Sequence, residues 1–179
     1  MVWFKNLVLG ATILALCVVV FGAYVRLTDA GLGCPDWPGC YGTLTVPESE
    51  AAIEKAQANY PESNIDNKKA WIEMIHRYIA TILGFIILSL AFLAYRNKDE
   101  IKVKPSLVYG LLGLVIAQGM LGMWTVTELL MPIIVSLHLL GGMTTLGLLT
   151  YIAHRHWGTV SDTLISLNPT SQKLIRFSL

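Results

Sequence analysis

The sequence predicts an all-α, polytopic membrane protein: an antiparallel four-helix transmembrane bundle carrying a long, structured outer loop. Three observations predict it. Of 179 residues, 54% are hydrophobic and only 14% charged, against about 25% charged in a soluble domain. The mean hydropathy is +0.58. The charges are also unevenly spread, because four apolar runs alternate with polar stretches, and each run reaches the roughly 20 residues that a bilayer crossing takes. The runs are continuously apolar, which excludes a β-barrel, whereas a lipid-facing helix satisfies its own backbone hydrogen bonds. The net charge of +1 leaves no basic excess to neutralise phosphates, so no nucleic-acid partner is expected.

The first predicted span covers residues 7–25, without a charge inside it. It is too long for a signal-peptide core and no small-x-small cleavage site follows it, so it reads as a retained helix. A loop over residues 26–70 comes next, long enough to carry structure of its own. Within it, residues 47–59 read as a helix with Pro47 at the first position and acids in the first turn. Asp66 is placed to cap a helix that enters the membrane as the second span, residues 71–95. The third span covers 105–126 and the fourth 129–153, separated by a short turn near Thr127 and Glu128. Residues 1–157 thus form the bundle domain. Residues 158–179 read as a cytoplasmic linker running into the start of a further helix, so the chain is expected to be a fragment of a longer protein.

Orientation follows from the loops. Four Lys/Arg crowd residues 96–104, Lys5 precedes the first span, and Arg155, Lys173 and Arg176 follow the fourth. The loop 26–70 instead holds four Lys/Arg against seven Asp/Glu. The positive-inside rule puts both termini in the cytoplasm and the long loop outside.

Few residues can carry chemistry. Cys17 sits mid-span and reads as a small, buried apolar side chain. Cys34 and Cys40 bracket Pro-Asp-Trp-Pro-Gly on the oxidising side, where a disulfide persists. It serves either as a loop staple or as a redox-active pair. Zinc lacks two further ligands nearby. His154 and His156, beside Trp157 at the inner end of the fourth span, read as interfacial anchors.

His76 and His138 differ, because each lies inside an apolar span, where an ionisable group is a functional hypothesis. At about 1.5 Å per residue both fall in the outer half of the membrane. They are either axial ligands of one haem or core histidines bonded to neighbouring helices. Gly141 and Gly142 share the His138 face, Ala80 and Gly84 continue the His76 face, and Gln118, Gly119 and Gly122 form a small, partly polar stripe on the third span. Glu73 precedes His76 by three residues. It can orient a ligand histidine, act as acid or base beside a substrate, or pair with Arg77. Arg26 and Arg77, near the outer rim, can hold haem propionates or snorkel to the interface.

Several stretches taken together resemble a known family. Gly22-Ala-Tyr-Val-Arg-Leu-Thr-Asp-Ala-Gly-Leu-Gly-Cys-Pro-Asp-Trp-Pro-Gly-Cys-Tyr-Gly42 closely resembles the first outer loop of bacterial heme A synthases. Glu73-Met-Ile-His-Arg77 resembles the family's second helix and Gln118-Gly-Met-Leu-Gly-Met-Trp-Thr-Val126 its third, and His138 falls where the fourth carries its histidine. The likeness runs from about residue 7 to 157.

The resemblance implies an eight-span enzyme of two fused four-helix bundles. It oxidises a ring methyl of haem O to a formyl group with oxygen from water, giving haem A for cytochrome oxidase. The half matched here corresponds to the N-terminal bundle, which takes the haem O substrate. The second bundle, absent from this chain, is the one expected to hold a haem b cofactor. Glu73 matches the catalytic glutamate, His76 and His138 the haem-iron ligands, and Cys34 and Cys40 the loop cysteine pair. Arg26 and Arg77 are the candidate propionate anchors. Implied partners are haem O, the second bundle, membrane lipid, heme O synthase and a periplasmic thiol or electron carrier. The implied location is the bacterial inner membrane with the 26–70 loop in the periplasm. The rival readings are a b-type electron-transfer module, which needs no carboxylate at the pocket, and a non-catalytic haem carrier in oxidase assembly.

Overall fold

A computed structural model of the protein describes residues 2–157. The expected linker and further helix, residues 158–179, lie outside the described residues. The described residues form five helices: α1 (Val2–Leu27), α2 (Glu50–Asn59), α3 (Asn67–Arg96), α4 (Pro105–Thr127) and α5 (Pro132–Trp157). Four of them, α1, α3, α4 and α5, are long and apolar enough to cross a membrane.

Local sequence sets the helix ends. The carboxylate of Asp66 accepts from the N–H groups of Lys68 and Lys69 and so caps α3. α2 begins at Glu50, three residues later than Pro47 suggests, because the hydroxyl of Ser49 accepts from Ala52 N–H and fixes the cap there. α5 begins at Pro132 and not at residue 129. Leu129 and Leu130 take positive φ, 46° and 59°, so neither continues a right-handed helix. Leu130 N–H instead donates back to Thr125 O at 2.8 Å, closing the end of α4.

The four long helices form a ring. α1 packs on α3, α3 on α4, α4 on α5 and α5 on α1, so α3 and α5 stand diagonally. Two separate clusters of buried residues hold the ring. The first fills the end away from the long loop. On α1 it uses Phe4, Val8, Ala11 and Ala15, on α3 Leu83, Ile87, Leu90 and Ala94, on α4 Val108 and Leu111, and on α5 Leu149 and Ile152. The alternating steps of four and three residues on α1 and α3 are those of knobs-into-holes packing. Phe4 also stacks on His156, ring centroids 5.0 Å apart. This corrects the interfacial reading of His156. Its ring is buried, Nδ1 lies 2.8 Å from Ile152 O, and Lys102 N–H donates to Nε2 at 3.2 Å. Cys17 is likewise not buried but sits on the exposed face of α1.

The second cluster lies under the long loop and joins Cys34, Cys40, Tyr41, Val46 and Ala56 to Ala70 and Met74 of α3. Cys34 and Cys40 form a disulfide. Just after the ring it closes, Tyr41 and Gly42 both have positive φ, and Cys40 pairs with Thr43 across them as in a two-residue hairpin turn. The carboxylate of Asp36 accepts from the N–H groups of Tyr41 (2.6 Å) and Gly42 (2.8 Å), holding that turn. Gly33 passes directly over the first turn of α3, where a Cβ would stand 2.6 Å from Ala70 N.

Candidate functional site

Between the two clusters the bundle has a layer in which no helix buries a residue. On α1 burial stops at Ala15 and resumes at Val25, on α3 it stops at Met74 and resumes at Leu83, and on α4 it stops at Leu111 and resumes at Val126. On α5 nothing is buried before Thr145. Roughly ten residues of helix correspond to about 15 Å, enough height for a planar macrocycle standing between helices.

His76 and His138 both lie in this layer, one on each of the two diagonal helices. Nδ1 of each is buried with no hydrogen-bond partner.

The other two diagonal helices meet these rings with glycine. A Cβ on Gly22 of α1 would stand 3.0 Å from His76 Cε1, and one on Gly122 of α4 would stand 3.5 Å from His138 Cε1. Phe21 lies nearly parallel to His76, with centroids 6.3 Å apart and planes at 20°. One turn farther from the loop, Gly141 of α5 faces the side-chain amide of Gln118 so closely that a Cβ would overlap it. Gly119 has open space around it, and Gly84 meets only Val115. Two imidazoles on opposite sides, small residues between them and height for a flat ring fit a haem held by two axial histidines.

The charged groups form a lid above this layer. Glu73 is buried, with 4% exposure. Its carboxylate accepts from Cys34 N–H at 2.9 Å and from Arg77 Nη2. Arg77 Nη1 donates to the carbonyls of Asp36 (2.9 Å) and Gly39 (2.5 Å). So Glu73 does pair with Arg77, and the guanidinium is taken up by the disulfide loop. Arg26 is exposed and pairs with Asp29 at 3.5 Å. Of the two arginines it is the one whose donors point to open surroundings.

The sequence did not single out Asp36, Trp71 or Tyr78. Trp71 Nε1 donates to Glu48 at 2.8 Å and the Tyr78 hydroxyl to Leu44 O at 2.5 Å. With Glu73 and Arg77 they make the first three turns of α3 the platform on which the loop docks. Their residue types carry a weak signal for this, since Trp and Tyr at a membrane edge also read as interface anchors.

Comparison with known proteins places these features in context. The family model described as cytochrome oxidase assembly protein, COX15-CtaA, matches residues 5–179. A heme A synthase of Shewanella oneidensis is 48% identical over 147 residues, covering 82% of this chain and 43% of that protein. A heme A synthase of Lysinibacillus sphaericus is 30% identical over 80% of this chain and 42% of its own length. The yeast heme A synthase COX15 is 31% identical over 66% of this chain and 26% of its own length. The chain therefore spans less than half the length of these relatives. No solved structure matches it.

Proposed function

The chain belongs to the COX15-CtaA family of cytochrome oxidase assembly proteins, and we propose that its bundle is the haem O-binding half of a heme A synthase, where one ring methyl is oxidised to a formyl group. The observation that best supports this is the layer around His76 and His138, two imidazoles on diagonal helices, each with a buried, unpartnered Nδ1 and a glycine against its ring.

In this reading His76 and His138 hold the iron of the substrate haem from its two faces. Converting a methyl to a formyl with oxygen from water releases four electrons and four protons. An acceptor outside the bundle would take the electrons. The protons need an acceptor near the ring edge, and Glu73 is the carboxylate one turn from His76. Arg77 and Cys34 N–H hold that carboxylate in place. Arg26 is the candidate partner for a propionate at the rim. By the charge of its loops, the 28–66 connection faces the outside of a bacterial inner membrane. A haem b cofactor is assigned to the family's second bundle and to no residue of this chain.

The test is to express the chain with haem O available and to record its visible spectrum and extracted haem. Low-spin haem O bound at about one per chain, lost in His76→Ala and in His138→Ala, supports the assignment. A parent chain that takes up no haem, or variants that keep it, would sink it.

A further inference from the structure

Gln118 is the one carboxamide deep within any of the four long helices, thirteen residues beyond the start of α4 at Pro105 and nine before its end at Thr127. An amide in such surroundings costs free energy unless it is hydrogen-bonded, and lipid offers it no water. Its Nε2 is nonetheless buried without a partner. The position is also specifically cleared. Gly141 of α5 lies against the amide, where a Cβ would overlap it. Gly142 stands beside it, with Val19 Cγ2 and Gln118 Oε1 3.8 and 3.9 Å from where a Cβ would be.

Gln118 shares a face of α4 with Gly122, four residues on, which abuts His138. The amide therefore looks into the histidine layer from the side away from the loop, one turn nearer the middle of the bundle. Hydrocarbon at that edge of a bound macrocycle would leave the amide unsatisfied. A hydroxyl there can accept from Nε2 and donate to Oε1, and would do so whichever way the amide is turned.

We propose that Gln118 is a specificity-determining residue that binds a hydroxyl on the membrane-buried edge of the macrocycle. The proposal rests on the haem O reading above. It names the feature by which haem O, whose alkyl chain bears a hydroxyl, is told from protohaem, which has only hydrocarbon there. A site built around a hydrogen bond discriminates strongly against a ligand that lacks it, because its own polar group is then left unpaired.

The experiment is a spectroscopic titration of the purified chain, in detergent, with haem O and with protohaem. Gln118→Met keeps the length and apolar contacts of the side chain but removes the amide. It should weaken haem O binding about tenfold, the loss expected of one hydrogen bond, and leave protohaem binding unchanged or tighter, since no amide is then left unpaired. Gly141→Ala, which displaces the amide without removing it, should shift the same ratio in the same direction, and this guards against a defect peculiar to one variant. Equal weakening of both haems, or no change in either, would overturn the proposal while leaving the histidine assignment standing. A parent chain that binds neither haem would remove the reading beneath it, and the proposal with it.

Discussion

Glu73 and Arg77, one turn apart on α3, form a buried ion pair that is also the clasp of the disulfide loop. The carboxylate takes the N–H of Cys34 while the guanidinium takes the carbonyls of Asp36 and Gly39. A charge in the platform and the fold of the loop above it are thus one arrangement, and the two can be separated by substitution.

Arg77→Met should cost more than Glu73→Gln. With side chains 12% and 5% exposed, the pair counts as buried, and removing one partner of such a pair costs about 3–5 kcal/mol because the other charge stays behind. Arg77→Met strands the carboxylate and unties two loop carbonyls. Glu73→Gln can still accept from Cys34 N–H. Hydrogen exchange at Cys34 and Gly39 is expected to rise sharply in the first variant and modestly in the second. On the proposed haem O reading, Glu73→Gln should retain haem O but support no haem A formation. Normal haem A formation would place Glu73 in a purely structural role.

The disulfide should matter less to stability than its conspicuous position suggests. Cys34 and Cys40 are six residues apart, and closing so short a ring removes only about 2 kcal/mol of chain entropy. The Arg77 clasp and the Asp36 turn contacts remain when it is opened. The Cys34→Ser, Cys40→Ser double variant should therefore keep the loop docked and lower the melting temperature by a few degrees, which differential scanning calorimetry in detergent can read. Complete loss of loop protection would show that the covalent link, not the clasp, orders it.

Much of this architecture was legible from residue pattern alone, and the rest was not, for identifiable reasons. Four apolar runs declare four helices because lipid tolerates little else. Their ends moved where tertiary contacts intervene. Trp3 and Phe4 join α1 because Phe4 packs on His156, and α5 starts late because Leu129 and Leu130 are left-handed. His76 and His138 stood out because an imidazole in an apolar run is costly without a purpose. That α3 and α5 lie on a diagonal, so that two rings face one layer, depends on which helices pack together, and hydropathy does not carry that. The roles of Gly33 and Tyr78 are set by contacts with Ala70 and Leu44, 37 and 34 residues away, once the loop folds back on α3, beyond the reach of any local pattern.

Alkaline pH offers a separate handle on the loop. Tyr41 is buried, and that burial first, then the carboxylates of Asp36, Glu73 and Asp66, holds its hydroxyl above the usual tyrosine range. The folded loop therefore binds this proton more tightly than the unfolded loop does. Its contribution is fully present below about pH 10, the ordinary tyrosine value, and is lost as the pH climbs through the raised one. Far-ultraviolet and tyrosine absorbance titrations should show the loop loosening together with late-ionising tyrosines, because burial and Asp36 also hold the neighbouring Tyr60 above the usual range. Tyr41→Phe should remove one late ionisation and keep the loop docked at higher pH. If the loop of Tyr41→Phe loosened at the same pH as the parent's, Tyr41 would have no part in it.

The closest approach to either histidine ring gives the sharpest test of the layer's geometry. A Cβ at Gly22 would stand 3.0 Å from His76 Cε1, so Gly22→Val must push the imidazole aside, whereas Gly10 and Gly110 have open space and tolerate the same change. Displacing a side chain from its rotamer costs on the order of 1 kcal/mol, and a ligand ring that can no longer meet the iron loses more. Haem O affinity should fall about tenfold or more in Gly22→Val, with the low-spin spectrum weakened, and stay unchanged in Gly10→Val and Gly110→Val. His76→Gly should bind haem weakly until free imidazole is added, since the space beside Gly22 can then admit the ring as a solute. Recovery of the low-spin spectrum with imidazole in His76→Gly, but not in Gly22→Val, would locate the defect at the ligand in one case and at its position in the other. If Gly22→Val bound haem O as tightly as the parent, the contact between α1 and His76 would have no bearing on ligation.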